Sequence, residues 1–201
     1  MTKNRFRHLV VLILLMCCTL GYAQEFKFVG LTYKVINTSK RYVEVSRGAD
    51  TKTVKIPSTV TRGGVKYTVT SIGERAFYDC SSLTSINVPN SVTSIGKAAF
   101  SECWDLTSIN IPSSVKSIGD FAFSFCHSLT SINIPSSVKS IGEEAFWGCE
   151  SLTSITLPSS LKSIGDRAFC FCRSLTTITL PKHITNIDKL GIPKRARIIR
   201  R

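Results

Sequence analysis

Residues 95–117 read IGKAAFSECWDLTSINIPSSVKS, and residues 118–140 read IGDFAFSFCHSLTSINIPSSVKS. Stepping outward by 23 residues returns the same landmarks. Ile72, Ile95, Ile118, Ile141, Ile164 and Ile187 form one series, and Phe77, Phe100, Phe123, Phe146 and Phe169 another. Cys80, Cys103, Cys126, Cys149 and Cys172 keep the step, as do Leu83, Leu106, Leu129, Leu152 and Leu175 and Pro89, Pro112, Pro135, Pro158 and Pro181. A fixed period of this length marks a solenoid, in which each unit buries its apolar face only against its neighbours. Five such units occupy residues 72–187.

The unit has three parts. L-T-S-I-x-I-P alternates apolar and small polar residues and ends on β-branched ones, so it reads as a short strand. The proline cannot donate to a ladder and ends that strand. Ser-Ser, or Asn90-Ser91, then makes a turn, and I-G-x-x-A-F-x-x-C returns the chain across the other side in a turn or one short helical turn. Stacked copies place each apolar residue over its equivalent, with strands parallel at about 4.8 Å. The glycines at 73, 96, 119, 142 and 165 suit either a bend with positive φ or a close approach of coils. The phenylalanines are expected to form an interior ladder. Lys116, Lys139 and Lys162 make a column of like charge that Asp120, Glu143 and Asp166 are placed to neutralise.

The stretch S-I-G-x-x-A-F-x-x-C-x-S-L-T-S-I-x-I-P, spanning residues 71–187, resembles the BspA-type leucine-rich repeat of bacterial surface proteins. That resemblance implies an α/β-type, right-handed leucine-rich-repeat solenoid with a parallel sheet on one face, mostly strand and turn. It also implies adhesion or recognition of host or matrix proteins, without catalysis.

The ends differ from the array. Lys3, Arg5 and Arg7 precede an apolar run from Leu9 to Leu20, and Gly21-Tyr22-Ala23 supplies small residues for cleavage, so residues 1–23 read as a signal peptide. The run is shorter than the ~20 residues of a spanning helix. Acylation at Cys17 or Cys18 fits poorly because Met16 or Cys17 precedes it. Export leaves a secreted or cell-surface protein. Residues 24–71 hold short strand patterns such as Tyr42-Val43-Glu44-Val45, broken by Asn37-Thr38-Ser39 and Gly63-Gly64, and read as an N-terminal β cap. Residues 188–201 lose the Ala-Phe and Cys positions and read as a basic tail or partial cap.

The formal charge of +13 is uneven: +3 in residues 1–23, +6 in 24–71, −2 in 72–181 and +6 in 182–201. A near-neutral body argues against a nucleic-acid groove along the array. The basic cluster from Lys194 to Arg201 reads as a solvated terminus, with a polyanion contact as the alternative.

Six cysteines follow the leader. Five share one repeat position, where buried free thiols, a disulfide between neighbours and a metal site are all open readings; packing favours thiols. Cys170 and Cys172 lack the C-x-x-C spacing and a second pair, so no metal or other cofactor is expected. His127 falls at a position held by Ser81, Trp104, Glu150 and Arg173 in other units, which marks surface variation. No nucleophile–base pair is legible, and no enzyme is expected.

Two surfaces are candidates for a ligand. Ser85, Asn87, Ser108, Asn110, Ser131, Asn133, Ser154, Thr156, Thr177 and Thr179 point outward from the strands as an uncharged ribbon. Tyr78, Trp104, Phe125, Trp147 and Phe171 form a variable aromatic ridge. The expected partner is an extracellular host or matrix protein, or a glycan, with no nucleic acid and no membrane span after leader removal. The alternative function is a structural or assembly component of the cell envelope.

Overall fold

The computed structural model describes residues 25–201, so the expected signal peptide lies outside the described residues. Six strands precede the first unit: β1 (Glu25–Phe28), β2 (Leu31–Asn37), β3 (Tyr42–Arg47), β4 (Thr53–Lys55), β5 (Thr59–Arg62) and β6 (Val65–Ile72). Within the array the outward-facing strands are β7 (Ser85–Asn87), β9 (Ser108–Asn110), β12 (Ser154–Thr156) and β14 (Thr177–Leu180). Two-residue Ser-Ile strands alternate with them: β8 (Ser94–Ile95), β10 (Ser117–Ile118), β11 (Ser140–Ile141) and β13 (Ser163–Ile164). A last strand, β15 (Arg197–Arg200), follows a 3-10 turn at Asp188–Leu190.

Each coil therefore contributes to parallel pairing on two sides. One side runs β4-β7-β9, continues through a single Asn110–Asn133 bridge, and resumes as β12-β14-β15. The other carries the order β1-β2-β3-β6-β8-β10-β11-β13, with β5 on β6. The second ladder, built from each Ser-Ile pair, adds to the single sheet expected from sequence. Burial alternates as strand geometry requires: Ile86, Ile109 and Ile155 are buried between exposed or half-buried neighbours.

The I-G-x-x-A-F-x-x-C arm contains no helical turn. Two residues per coil take left-handed conformations, at Arg75, Ala98, Phe121, Glu144 and Arg167 and again at Asp79, Glu102, Phe125, Gly148 and Phe171. Every second N–H of the arm is directed to the following coil: Ala98, Phe100 and Glu102 donate to the carbonyls of Asp120, Ala122 and Ser124 at 2.8 Å. On the Ser-Ile side the polarity is opposite, and Lys116 and Gly119 donate back to Thr93 and Ile95. Positive φ thus falls mainly on non-glycine residues. The repeat glycines answer to space instead. A Cβ on Gly119 would sit 2.7 Å from the Gly96 carbonyl carbon, and one on Gly165 would sit 2.2 Å from the Glu143 nitrogen.

Phe77, Phe100, Phe123, Phe146 and Phe169 stack through the interior with centroids 5.2–5.7 Å apart and interplanar angles of 1–11°. The repeat cysteines lie beside them as free thiols. Cys103, Cys126, Cys149 and Cys172 each donate S–H to a phenylalanine carbonyl of the preceding coil at 3.0–3.2 Å. Burial raises all of them: Cys80 to about 11, Cys172 to about 12, and Cys126 and Cys149 well above the ordinary thiol range.

The expected Lys–acid pairing four residues apart does not form. Ion pairs instead join equivalent positions of successive coils, Glu144–Arg167, Glu150–Arg173 and Asp166–Lys189. Asp120 uses Oδ1 to accept the Glu143 N–H at 2.9 Å. The lysines stay in solvent, where separate charges at this spacing cost little.

The ladders extend past the sequence repeat at both ends. Val45 of β3 pairs with Ile72, and Val54 of β4 pairs with Ile86, so residues 42–72 trace an irregular first coil sharing the same core. The C-terminal segment, expected as a solvated terminus, forms β15 parallel to β14, with Ile198 opposite Ile178. Its coil is three residues shorter than the repeat, because residues 188–193 turn tightly at Gly191, φ 69°.

Two outcomes follow. Phe123→Ala removes the middle ring of the ladder and should cost about 3–5 kcal/mol in urea unfolding. A loss below about 1 kcal/mol would mean that the ring is not packed as described. The thiols give a pH dependence with a fixed sign. Folded thiols hold their protons, while unfolded ones release them near the ordinary value of 9.0. Stability should therefore be full below pH 9 and fall as pH rises through the window from 9 to about 12. The slope is up to about 1.4 kcal/mol per pH unit for each thiol. A Cys126→Ser, Cys149→Ser variant should show a shallower slope, and an unchanged slope would remove the thiols as its cause.

Candidate functional site

On the strand side, Asn87, Ser108, Asn110, Ser131, Asn133, Ser154 and Thr156 are exposed, and Ser85 is half-buried. Thr177 and Thr179 are half-buried beside β15. The ribbon is uncharged apart from its first coil, where Lys55 joins Thr53, Ser85, Asn87, Ser108 and Asn110 around a shallow depression of about 430 Å³. The residues offer hydroxyl and amide groups over a nearly flat backbone. This is a surface for many weak hydrogen bonds and holds no convergent cluster.

The aromatic ridge has more relief. Trp104 is 49% exposed and Phe171 53%, and Tyr78 and Phe125 are also exposed. Phe125 and Phe171 hold left-handed backbone, φ 58° and 59°, a conformation that costs a bulky residue about 1 kcal/mol and turns its ring away from the core. Phe125 lies over Gly148, where a Cβ would come within 2.9 Å of its ring. Trp147, half-buried, packs on Phe171 with centroids 4.8 Å apart. Tyr78 belongs to a separate polar group: its hydroxyl donates to Glu102 at 2.6 Å, and the Arg75 guanidinium lies 5.4 Å from its ring centroid. That hydrogen bond, with the carboxylate charge, raises the Tyr78 hydroxyl above its ordinary value.

His127 is the ridge member that sequence reasoning set aside. Its ring lies 6.3 Å from Trp104 and 5.8 Å from Phe125, linking two aromatics that sit at different repeat positions. The signal was present, since His127 follows the repeat cysteine as Trp104 does, but only coil stacking shows that the two rings meet. Further along, Phe171, Arg173, Pro193 and Arg195 line a recess of about 410 Å³ that extends the ridge to the C-terminal turn.

A third feature had no counterpart in the sequence reading. Gly119, Gly142 and Gly165, with Ser117, Ser140 and Ser163, floor a groove of about 600 Å³ rimmed by Asp120, Glu143 and Asp166. Among the described residues, no group of three or more His, Cys, Asp or Glu side chains is placed to hold a metal ion.

Stacked one-repeat coils, strand ladders in register and an interior of Leu, Ile and Phe define a leucine-rich-repeat solenoid. The chain belongs to the BspA type leucine rich repeat family: six copies of that repeat match residues 70–191. Among solved structures, the chain is similar to a leucine-rich repeat protein of T. pallidum, at 29% identity and a TM-score of 0.76. That match covers 88% of this chain and 81% of that one. It is also similar to a leucine-rich repeat protein of Bacteroides ovatus, at 38% identity and a TM-score of 0.69, covering 78% and 47%. A leucine rich cell surface protein of Faecalibacterium prausnitzii matches at 27% identity and a TM-score of 0.51, covering 78% and 54%. The chain spans about half the length of the last two. No curated protein matches it. Proteins of this repeat class are typically binding scaffolds without catalysis.

The ridge geometry carries a stability test. If Phe125 points outward for reasons other than packing, Phe125→Asn, which suits left-handed backbone, should leave stability within about 0.5 kcal/mol or raise it. A loss above about 2 kcal/mol in urea unfolding would place the ring in the core instead.

Proposed function

We propose that this protein is exported to the cell surface or the medium and recognises an extracellular host or matrix protein through its aromatic ridge. The reading is carried by one observation: large aromatics project from strained turns while every interior position is filled by a repeat hydrophobe. Phe125 and Phe171 gain nothing evident for the fold by standing at positions that other coils give to Asp79, Glu102 and Gly148. Aromatic side chains of this kind supply most of the binding energy in protein interfaces, by desolvating large areas at low entropy cost. His127 and the Arg173–Arg195 recess add polar contacts beside the rings. The strand ribbon then serves as flanking surface, and the solenoid as a rigid support needing no catalytic group.

The test is binding of the purified protein to an array of matrix and serum proteins and glycans at physiological salt. The expected result is a saturable protein hit. Trp104→Ala or Phe171→Ala should weaken it by about 2 kcal/mol, roughly 30-fold. Asn110→Ala with Asn133→Ala should leave it nearly unchanged. Silence across the array, or a hit indifferent to both aromatic variants, would sink the reading.

A further inference from the structure

We propose that a polar cavity between the first coil and the first repeat arm binds a small zwitterion, an α-amino acid whose carboxylate meets Arg47 and whose ammonium group meets Asp50 and Asp79. The site lies outside the aromatic ridge and does not depend on the reading above.

The cavity exists because the first coil has no arm. Between β6 and β7 the chain takes twelve residues, 73–84, to cross from one ladder to the other; between β3 and β4 it takes five, 48–52. The arm of residues 73–80 therefore has a full arm stacked on one side only. The Lys97, Ala99 and Ser101 carbonyls of the next arm accept from the Arg75, Phe77 and Asp79 N–H groups. At the equivalent places in the first arm, only Ala76 finds a donor, the Gly48 N–H. The Glu74 and Tyr78 carbonyls accept nothing among the described residues. The cysteine column shows the same gap. Cys103, Cys126, Cys149 and Cys172 each donate to a carbonyl of the preceding coil, but Cys80 has no such acceptor. It is 6% exposed, where the other four are fully buried.

What remains is a recess of about 470 Å³, with Cys80 in its lining. That size falls within the ~300–1,000 Å³ of small-molecule sites. Its walls carry Arg47 and Arg75 against Asp50, Glu74 and Asp79. None of these five forms an ion pair among the described residues. Opposite charges thus share one cavity without contact, an arrangement that a molecule carrying both signs can bridge. Arg75 is held over the Tyr78 ring, which leaves Arg47 as the cation for a carboxylate. Asp50 is fixed by the Ser82 N–H at 2.9 Å. Burial pushes the Cys80 thiol up to about 11, Asp50 and Asp79 raise it further and Arg47 opposes them, so these three charges gather around the thiol. Ser46 also lines the recess, and its hydroxyl is buried without a partner, which native interiors rarely leave unfilled. The free carbonyls of Glu74 and Tyr78 offer the ammonium group further acceptors. Three carboxylates against two guanidinium groups leave an excess of negative charge, so the ligand's own side chain is basic rather than acidic.

The experiment is calorimetric titration of the purified protein with L-lysine, L-glutamate and cadaverine, which is lysine without its carboxylate. The expected result is saturable binding of L-lysine, with L-glutamate and cadaverine about 10-fold weaker or worse, as the loss of a charge-assisted hydrogen bond dictates. Arg47→Gln and Asp79→Asn, both at exposed positions, should each weaken L-lysine by about 10-fold, while Trp104→Ala leaves it unchanged. Equal binding of L-lysine and cadaverine would overturn the zwitterion in favour of simple attraction of a cation. No saturable binding of L-lysine, or binding indifferent to both cavity variants, would overturn the site itself. The ligand comparison uses the unaltered protein, so it decides the matter even where a variant does not fold.

Discussion

Coil-to-coil registry is the constraint on which the rest of this molecule depends. Many backbone groups of the array find their partners one repeat away, so the conformation of one coil must be compatible with an identical copy stacked on it. Strand segments satisfy this with parallel pairing. The intervening arm satisfies it with two left-handed residues four apart, and its alternate amides donate forward while those of the Ser-Ile side donate back. These inter-coil bonds pair buried backbone groups, which matters because an unpaired buried amide costs about 1–3 kcal/mol. The five glycines follow from the same registry: the distance between coils is set by the ladders, and at that distance nothing larger than hydrogen fits over the preceding backbone.

Registry also divides the surface into what is fixed and what is free. Positions that stack inward repeat, as Phe, Leu, Ile and Cys do. Outward positions of the arm only have to tolerate their turn, and they hold Asp, Glu, Phe and Gly in one column and Ser, Trp, His, Glu and Arg in another. Ion pairs form down these columns because equivalent side chains of adjacent coils are the nearest neighbours. The aromatic cluster arises in the same way: Trp104 and His127 share a column, and Phe125 joins them from the adjacent one. The ridge is thus built from residues at positions that the repeat leaves free to vary.

This division explains how much was legible in the sequence. The period, the Phe ladder and the Leu-x-x-Ile-x-Ile strand followed from spacing because identical residues at identical intervals must stack. The conformation of the arm was not legible. Left-handed backbone is normally announced by glycine or asparagine, and here it falls on Arg75, Phe121 and Glu144, where inter-coil hydrogen bonds override local preference. The Lys–acid pairing failed for a related reason: spacing by four is a helical neighbour relation, and no helix exists to bring those side chains together. His127 was dismissed because it varied, although variation at an outward column is where recognition residues would be found.

The ends of the array obey registry from one side only, and that one-sidedness makes them hard to read and chemically distinct. A terminal coil needs to match a single neighbour, so its length and sequence can drift while its ladder persists. At the N-terminal end, residues 42–72 follow the ladder with Val45 and Val54 in core columns and keep the strand-ending proline at Pro57, yet they lack the Phe and Cys of the repeat. At the other end, Ile198 keeps its column after the turn at Asp188–Gly191 has shortened the coil. The first coil is shielded by β1, β2 and the antiparallel β5 on β6, which leave little of the interior uncovered. In the last coil the Arg200 guanidinium reaches across to donate to the Ile184 carbonyl. A terminal coil is therefore recognisable by its ladder and core columns rather than by its spacing, as the pairs Val54–Ile86 and Ile178–Ile198 are.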